Sequence, residues 1–202
     1  MIVALVPAAG EARRMGRPKL LLPWQGTTLL DHLVGNLRQG GADRLVLVAR
    51  SDDSALADWA AVAGVDLTVN PDPARGMLSS VWCGLAALGA AAIAQVAEAL
   101  LVCPADHPAV RPETVAALLA RLRAGALLAV PTHDGRRGHP LAIGPALVTE
   151  ILALDLEVGL RQLLERRSDV LVELPVDDPG VVLDVDTPED YERLLGRGAW
   201  VH

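Results

Sequence analysis

Short runs of aliphatic residues alternate along this chain with longer stretches in which apolar positions recur every three or four residues. The short runs predict strands over residues 2–6, 45–48, 66–69, 100–102, 127–130, 171–174 and 181–183. The longer stretches predict helices over 28–39, 54–63, 78–88, 112–123, 145–152, 158–166 and 188–195. Punctuation agrees with several of these bounds. Thr187-Pro188 puts a capping hydroxyl ahead of a proline suited to the first helical position, and Asp53-Ser54 offers another start. Gly40-Gly41 and Gly125 are natural helix stops. The apolar stretch from 85 to 101 is interrupted by Gln95 and Glu98 and weakened by Gly89, so it reads as a buried helix leading into a strand rather than a membrane span.

Uninterrupted strand–helix alternation predicts an α/β fold of three layers, a mostly parallel sheet with helices on both faces. No repeat, low-complexity tract or linker is visible, so residues 1–202 are expected to form a single domain. Ligands of such sheets sit beyond the carboxyl ends of the strands. Chemistry is therefore sought in the loops after the first, third and fourth strands.

Composition narrows the partners. Hydrophobic residues make up 51% of the chain but aromatic ones only 2%, with no Phe, so the core must be built from Leu, Val and Ala. A net charge of −7 argues against a nucleic-acid binder, which needs a basic footprint. Any nucleotide is then a small ligand in a local pocket. Two distant cysteines, Cys83 and Cys103, fit a reducing compartment and read as core fillers. The opening hydrophobic run lacks a basic flank and breaks at Pro7. A soluble, cytoplasmic protein without a membrane partner is expected.

The loop after the first strand runs from Pro7 through Ala8, Ala9 and Gly10 to Arg14, Gly16 and Lys19. Small residues let backbone N–H groups approach an anion, and Arg14 and Lys19 bring positive charge into an acidic chain. These are the parts needed to hold a triphosphate, although an ordinary glycine-containing turn with exposed basic residues would use them too. A Walker A loop is excluded, because Arg17-Pro18 separates Gly16 from Lys19, and the GxGxxG fingerprint is absent. Gly76-Met77-Leu78-Ser79-Ser80 brings N–H groups and hydroxyls to a helix start, as a nucleotide contact or as a plain serine cap. Asp106 follows the apolar run at 100–102 and is a natural Mg²⁺ ligand at a strand end; a turn-capping role before Pro108 is the alternative. Asp184 and Asp186 lie two apart after the predicted strand at 181–183, so both could point to the active face. The sequence Asp186-Thr187-Pro188-Glu189-Asp190 also reads as a helix start, with Asp190 as a helix-face or dipole residue. Five histidines show no zinc-ligand spacing.

Ala8-Ala9-Gly10-x-x-x-Arg14-Met15-Gly16-x-x-Lys19 after a first strand resembles the signature of the molybdenum cofactor guanylyl- and cytidylyltransferases, and the Ala-Ala-Gly form is closer to the cytidylyltransferase branch. Pro7 and Ala12 depart from that pattern. The resemblance continues through Asn70-Pro71, Gly76-Met77-x-x-Ser80, Pro104-x-Asp106-x-Pro108, Gly135-x-x-Gly138-His139-Pro140, an imperfect Asp155-x-x-x-Gly159-x-Arg161 segment, and Asp184-x-Asp186-Thr187-Pro188. It implies a Rossmann-like nucleotidyltransferase fold and transfer of CMP from CTP to the phosphate of molybdenum-bearing molybdopterin, with release of pyrophosphate. It implies Mg²⁺ on Asp106 and Asp186, with Lys19, Arg14 and Asp106 catalytic. Ala8, Ala9, Gly10, Arg14, Lys19, Ser79 and Ser80 would hold the nucleotide, and Gly138, His139 and Pro140 the acceptor. A molybdenum hydroxylase would be a transient partner receiving the product. Alternatives are a guanylyltransferase, a sugar- or methylerythritol-phosphate cytidylyltransferase, and a non-catalytic cofactor chaperone.

Overall fold

Strand β1 (Ile2–Pro7) is buried along its whole length, with no polar position to turn toward water. A strand covered on both faces must lie at the centre of a layered structure. The structure, a computed structural model, describes residues 1–10 and 19–196. After β1 come a hairpin of β2 (Pro23–Trp24) and β3 (Thr27–Thr28), helix α1 (Leu29–Gln39), β4 (Arg44–Arg50), α2 (Ser54–Ala63) and β5 (Asp66–Asn70). Next are α3 (Met77–Leu88), α4 (Ala90–Val96), β6 (Ala99–Val102), α5 (Pro112–Arg123) and β7 (Leu128–His133). The chain continues through β8 (Arg136–Arg137), β9 (Leu141–Ile143), α6 (Pro145–Val148), α7 (Arg161–Arg166), β10 (Leu171–Pro175) and α8 (Pro188–Gly196).

The main sheet has the order β10-β7-β9-β6-β1-β4-β5, with β8 pairing β7. Pairing is parallel from β6 through β1 and β4 to β5, and between β10 and β7. Alternation along β1 divides the core in two. Ala4 and Val6 pack with Leu30, Leu33 and Leu37 of α1 and with Val115 and Leu118 of α5. Val3 and Leu5 pack with Leu78, Val81 and Leu85 of α3 and with Ile93 of α4. This is the expected three-layer α/β arrangement. Each fully buried leucine contributes roughly 1.5–3 kcal/mol relative to an exposed one, so the aliphatic core suffices without aromatic bulk.

Four expectations need correction. The expected strands include none over 141–143, yet β9 lies between β6 and β7 and runs antiparallel to both. Residues 181–183 do not form a strand: Pro179–Val182 is a 3-10 turn, started by the Asp178 carboxylate accepting from the Gly180 amide at 2.9 Å. The helix expected over 145–152 is α6 followed by a 3-10 turn over Thr149–Ala153. The one expected over 158–166 begins only at Arg161, because Gly159 has φ +75° and cannot sit inside a helix. The apolar stretch from 85 to 101 breaks at Gly89, φ +72°, into α3, α4 and β6, and among the described residues no single helix is long and apolar enough to cross a membrane.

Candidate active site

Lys19 opens a 3-10 turn and sends its ammonium between two carboxylates, 2.8 Å from Asp186 Oδ1 and 3.3 Å from Asp106 Oδ2. The lysine side chain is only 13% exposed, whereas Asp106 and Asp186 keep 28% and 30%. The carboxylates therefore remain open to a ligand while the cation is fixed between them. Asp184, by contrast, is exposed and belongs to no strand, so the expectation that both aspartates share a strand face does not hold. The physical reason is the 3-10 turn, which replaces the two-residue alternation of a strand.

Backbone bonds fix this cluster. The chain leaving β6 stays on β1, with the Ala105 amide donating to the Pro7 carbonyl at 2.9 Å. The Val185 amide donates to the Asp106 carbonyl, also at 2.9 Å, tying the two aspartate segments to each other. Asp190 is not a mere helix-face residue. Its Oδ2 accepts from the Thr187 amide and hydroxyl, both at 2.8 Å, and from the Asp186 amide at 3.2 Å, while the Asp190 amide donates back to Thr187 Oγ1 at 3.2 Å. That reciprocal cap sets the direction in which Asp186 leaves helix α8. Helix α8 in turn rests Tyr191 and Leu194 on Leu22, Leu29 and Val185.

His107, which the sequence offers only as a histidine without zinc-ligand spacing, belongs to this cluster. Its Nδ1 lies 3.0 Å from Asp106 Oδ1. A carboxylate can only accept, so Nδ1 carries the proton. Burial alone would raise the Asp106 carboxyl, but the His107 hydrogen bond and the Lys19 charge outweigh it and hold it down to about 2. Asp106 is ionised at any physiological pH. The His107 ring meets His139 edge to face at 4.6 Å. Burial pushes the His139 imidazole down to about 3, and its Nδ1 has no hydrogen-bond partner among the described residues. Gly138 and Pro140 are buried, and a Cβ at Gly138 would stand 2.3 Å from the Val181 carbonyl oxygen. The Gly138-His139-Pro140 segment thus touches the carboxylate cluster through His107 rather than directly.

A cleft of about 250 Å³ extends from Lys19 and Asp106 across Pro7, Ala8, Ala9 and Gly10 to Asp53, Leu56 and the Pro73–Met77 segment. Ser80 lines it, whereas Ser79 Oγ donates to the Gly76 carbonyl at 2.7 Å. Asn70, buried at the end of β5, donates to Ser79 Oγ at 2.7 Å and Ser80 Oγ at 3.0 Å and accepts from the Asp72 amide at 2.9 Å. One amide side chain therefore locks the loop that forms the far wall. Arg14 lies outside the described residues. Cys103 is fully buried with its thiol pushed up by burial, and Cys83 is partly buried with a raised thiol as well.

Residues 4–170 match the model of the MobA-like NTP transferase domain. The chain belongs to that family. It is 29% identical over 191 residues to the molybdenum cofactor cytidylyltransferase of Escherichia coli K12, covering 94% of this chain and 93% of that one. It is also 31% identical to the nicotine blue oxidoreductase of Paenarthrobacter nicotinovorans, covering 96% of both. Among solved structures, Rv0371c of Mycobacterium tuberculosis H37Rv superposes with a TM-score of 0.82 at 31% identity, over 96% of this chain and 98% of that one. A manganese complex of the same mycobacterial protein superposes with a TM-score of 0.73 at 30% identity, with the same coverage. The MobA-like NTP transferase assignment makes this chain a nucleotidyltransferase of Rossmann-like fold.

Proposed function

We propose that this nucleotidyltransferase moves CMP from CTP to the phosphate of molybdenum-bearing molybdopterin and releases pyrophosphate. The observation that carries the reading is the convergence of Lys19 with Asp106 and Asp186 at one end of a cleft floored by Ala8, Ala9 and Gly10. A pure binding module has no need of two partly exposed carboxylates held in register on one ammonium. The relative named nicotine blue oxidoreductase shows that similarity of this degree spans different chemistries, so the reaction is argued from the cluster.

Two carboxylates meeting at one point suit a hard divalent cation that takes one or two protein oxygens and completes its shell with water and phosphate. Among the described residues no third His, Cys, Asp or Glu joins them in a metal-holding group, which leaves room for those substrate oxygens. Mg²⁺ would be held by Asp106 and Asp186, and it would supply charge neutralisation at the α-phosphate. The manganese complex of the mycobacterial neighbour fits a divalent ion of this kind.

The chain's own residues do the rest. The Ala8–Gly10 backbone and Ser80 would hold the nucleotide along the cleft, and Lys19 would meet the phosphate charge together with Arg14. Phosphoryl-type transfer asks mainly for positioning and charge neutralisation. The attacking acceptor oxygen is already anionic, so no general base is required. Gly138, His139 and Pro140 would form the acceptor side. The whole chain, 1–202, would act as one cytoplasmic domain and hand its product to a molybdenum hydroxylase. A guanylyltransferase is the second reading, since a Shewanella sp. (strain MR-4) molybdenum cofactor guanylyltransferase is 28% identical over 97% of this chain and 96% of that one. Purified protein given Mg²⁺, molybdenum-loaded molybdopterin and each nucleotide should form the cytosine dinucleotide much faster than the guanine one. Equal or reversed rates remove the cytidylyl assignment.

A further inference from the structure

The cleft carries two acidic side chains among its described lining residues. One is Asp106, which belongs to the carboxylate cluster. The other is Asp53, which has no part in the chemistry outlined above.

Sheet order fixes how far apart they stand. The cleft is built from the loops that follow β6, β1, β4 and β5, which are adjacent in that order. Neighbouring strands are about 4.8 Å apart, so the loop after β4 lies roughly 10 Å across the sheet from the loop after β6. Asp106 and Lys19 mark the β6–β1 end, where negative phosphate must be neutralised. Asp53 marks the β4–β5 end. A carboxylate there would repel phosphate and can only accept hydrogen bonds, so it must face an uncharged, donor-bearing part of the nucleotide.

The neighbours of Asp53 say which part. Leu56, Pro73 and Met77 line the same end of the cleft, walls suited to the flat faces of a base rather than to a sugar. One carboxylate oxygen, Oδ1, accepts from the Leu56 amide at 3.1 Å and anchors the side chain as the cap of α2. The side chain is half-buried and lines the cleft. We propose that Asp53 reads the base: its carboxylate accepts a hydrogen bond from the exocyclic amine of a pyrimidine, selecting cytosine over uracil. This rests on the cytidylyl reading and deepens it.

CTP and UTP differ at the group in question, an amine that donates against a carbonyl that accepts. Facing Asp53, the uracil carbonyl would meet a carboxylate that cannot donate. An anion-to-amine hydrogen bond set against such a mismatch is worth roughly tenfold or more in affinity. Asp53→Asn retains a good helix cap, so the fold survives, while its amide can donate to the uracil carbonyl. Calorimetric titration of the full chain with CTP and with UTP, each with Mg²⁺, should give the wild type at least a tenfold preference for CTP. In Asp53→Asn that preference should shrink to near parity, mainly through tighter UTP. A wild type that binds the two pyrimidines alike, or an unchanged preference in Asp53→Asn, overturns the role of Asp53 and leaves transfer chemistry standing. Stronger binding of GTP than of CTP would instead strike the cytidylyl reading itself, and the Asp53 claim with it.

Discussion

The amide of Val185 donates to the carbonyl of Asp106 at 2.9 Å, and through that single backbone bond the two candidate metal-binding segments share one rigid frame. The side chains on either side of it, Asp106 and Asp186, then close on the Lys19 ammonium. Residues from three distant parts of the chain form one cluster because the loops that carry them are tied to each other by main chain, not only by the charges they bring. The consequences can be tested separately.

Removing either carboxylate leaves the frame intact and takes away its chemistry. Asp106→Ala and Asp186→Ala should each lower kcat by a factor of about 10² or more, the scale seen when one group stabilising a phosphoryl-type transition state is lost. Nucleotide turnover measured alongside circular dichroism checks this. Residual dinucleotide synthesis near the wild-type rate in Asp106→Ala would favour a chaperone that delivers a cofactor made elsewhere.

Asp190 acts on Asp186 through the backbone. Its carboxyl is held below the ordinary carboxylate range by the hydrogen bond from Thr187 and by the amides it caps. Asp190→Ala should cost about 1 kcal/mol in urea unfolding, as the loss of a helix cap does. It should also lower kcat, though less than Asp186→Ala, because the proposed liganding carboxylate is still present but less well aimed. Asp190→Asn should recover most of both losses. Wild-type kcat in Asp190→Ala would mean that the cap serves helix α8 alone.

Two glycines sit where a side chain has no room. A Cβ at Gly138 would lie 2.3 Å from the Val181 carbonyl oxygen, and one at Gly180 would lie 2.1 Å from that of Ala109. Both obstacles are backbone, which cannot rotate aside. Gly138→Ala and Gly180→Ala should each destabilise the fold by about 1–3 kcal/mol or more. Gly35 is the control: it lies inside α1 with nothing within 4 Å of an added Cβ, so Gly35→Ala should stabilise by up to about 1 kcal/mol. Chemical denaturation of the three variants reads the difference directly.

Acid should weaken the fold through His139. In the folded chain this imidazole stays neutral down to about pH 3, against 6.5 for an ordinary histidine. Between those values the unfolded chain binds more protons, so the stabilisation is complete above pH ~6.5 and is lost as the pH falls toward 3, by up to about 1.4 kcal/mol per pH unit. Asp106 does not blur this window, since its depressed carboxyl adds stability that is lost only below the ordinary carboxylate value of 3.8. Urea titrations at pH 7 and pH 5 should show the wild type losing about 2 kcal/mol more than His139→Gln. Parallel losses in the two proteins would place the acid sensitivity elsewhere.

Most of the layered fold is legible in the sequence because β1, β4 and β6 are built on continuous aliphatic runs and helices α1 and α2 open on the caps Thr28 and Asp53. Helices α2 and α5 match the expected bounds to the residue. What escapes is short or decided at a distance. Strand β9 has only three residues between Pro140 and Gly144, too few to show a period, and it gains strand character from pairing with β6 and β7. Residues 181–183 look like a strand because all three are aliphatic. Their conformation is instead set by Asp178 capping Gly180 and by Gly180 lying against Ala109. At the site, Lys19, Asp106 and Asp186 are each readable from local motifs. Their meeting is a tertiary fact, as Lys19 and Asp186 lie 167 positions apart. His107 escapes for a different reason: nothing local distinguishes a histidine that holds an aspartate from any histidine beside one.

The central claim is that a triphosphate and a divalent cation enter together at the Lys19 cluster, and equilibrium binding of CTP tests it most directly. Titrated calorimetrically, the wild type should bind CTP tightly with Mg²⁺ and at least tenfold more weakly in EDTA, and Asp106→Asn should lose that gain from the metal. CTP binding that is indifferent to Mg²⁺, or equally metal-dependent in Asp106→Asn, would contradict it.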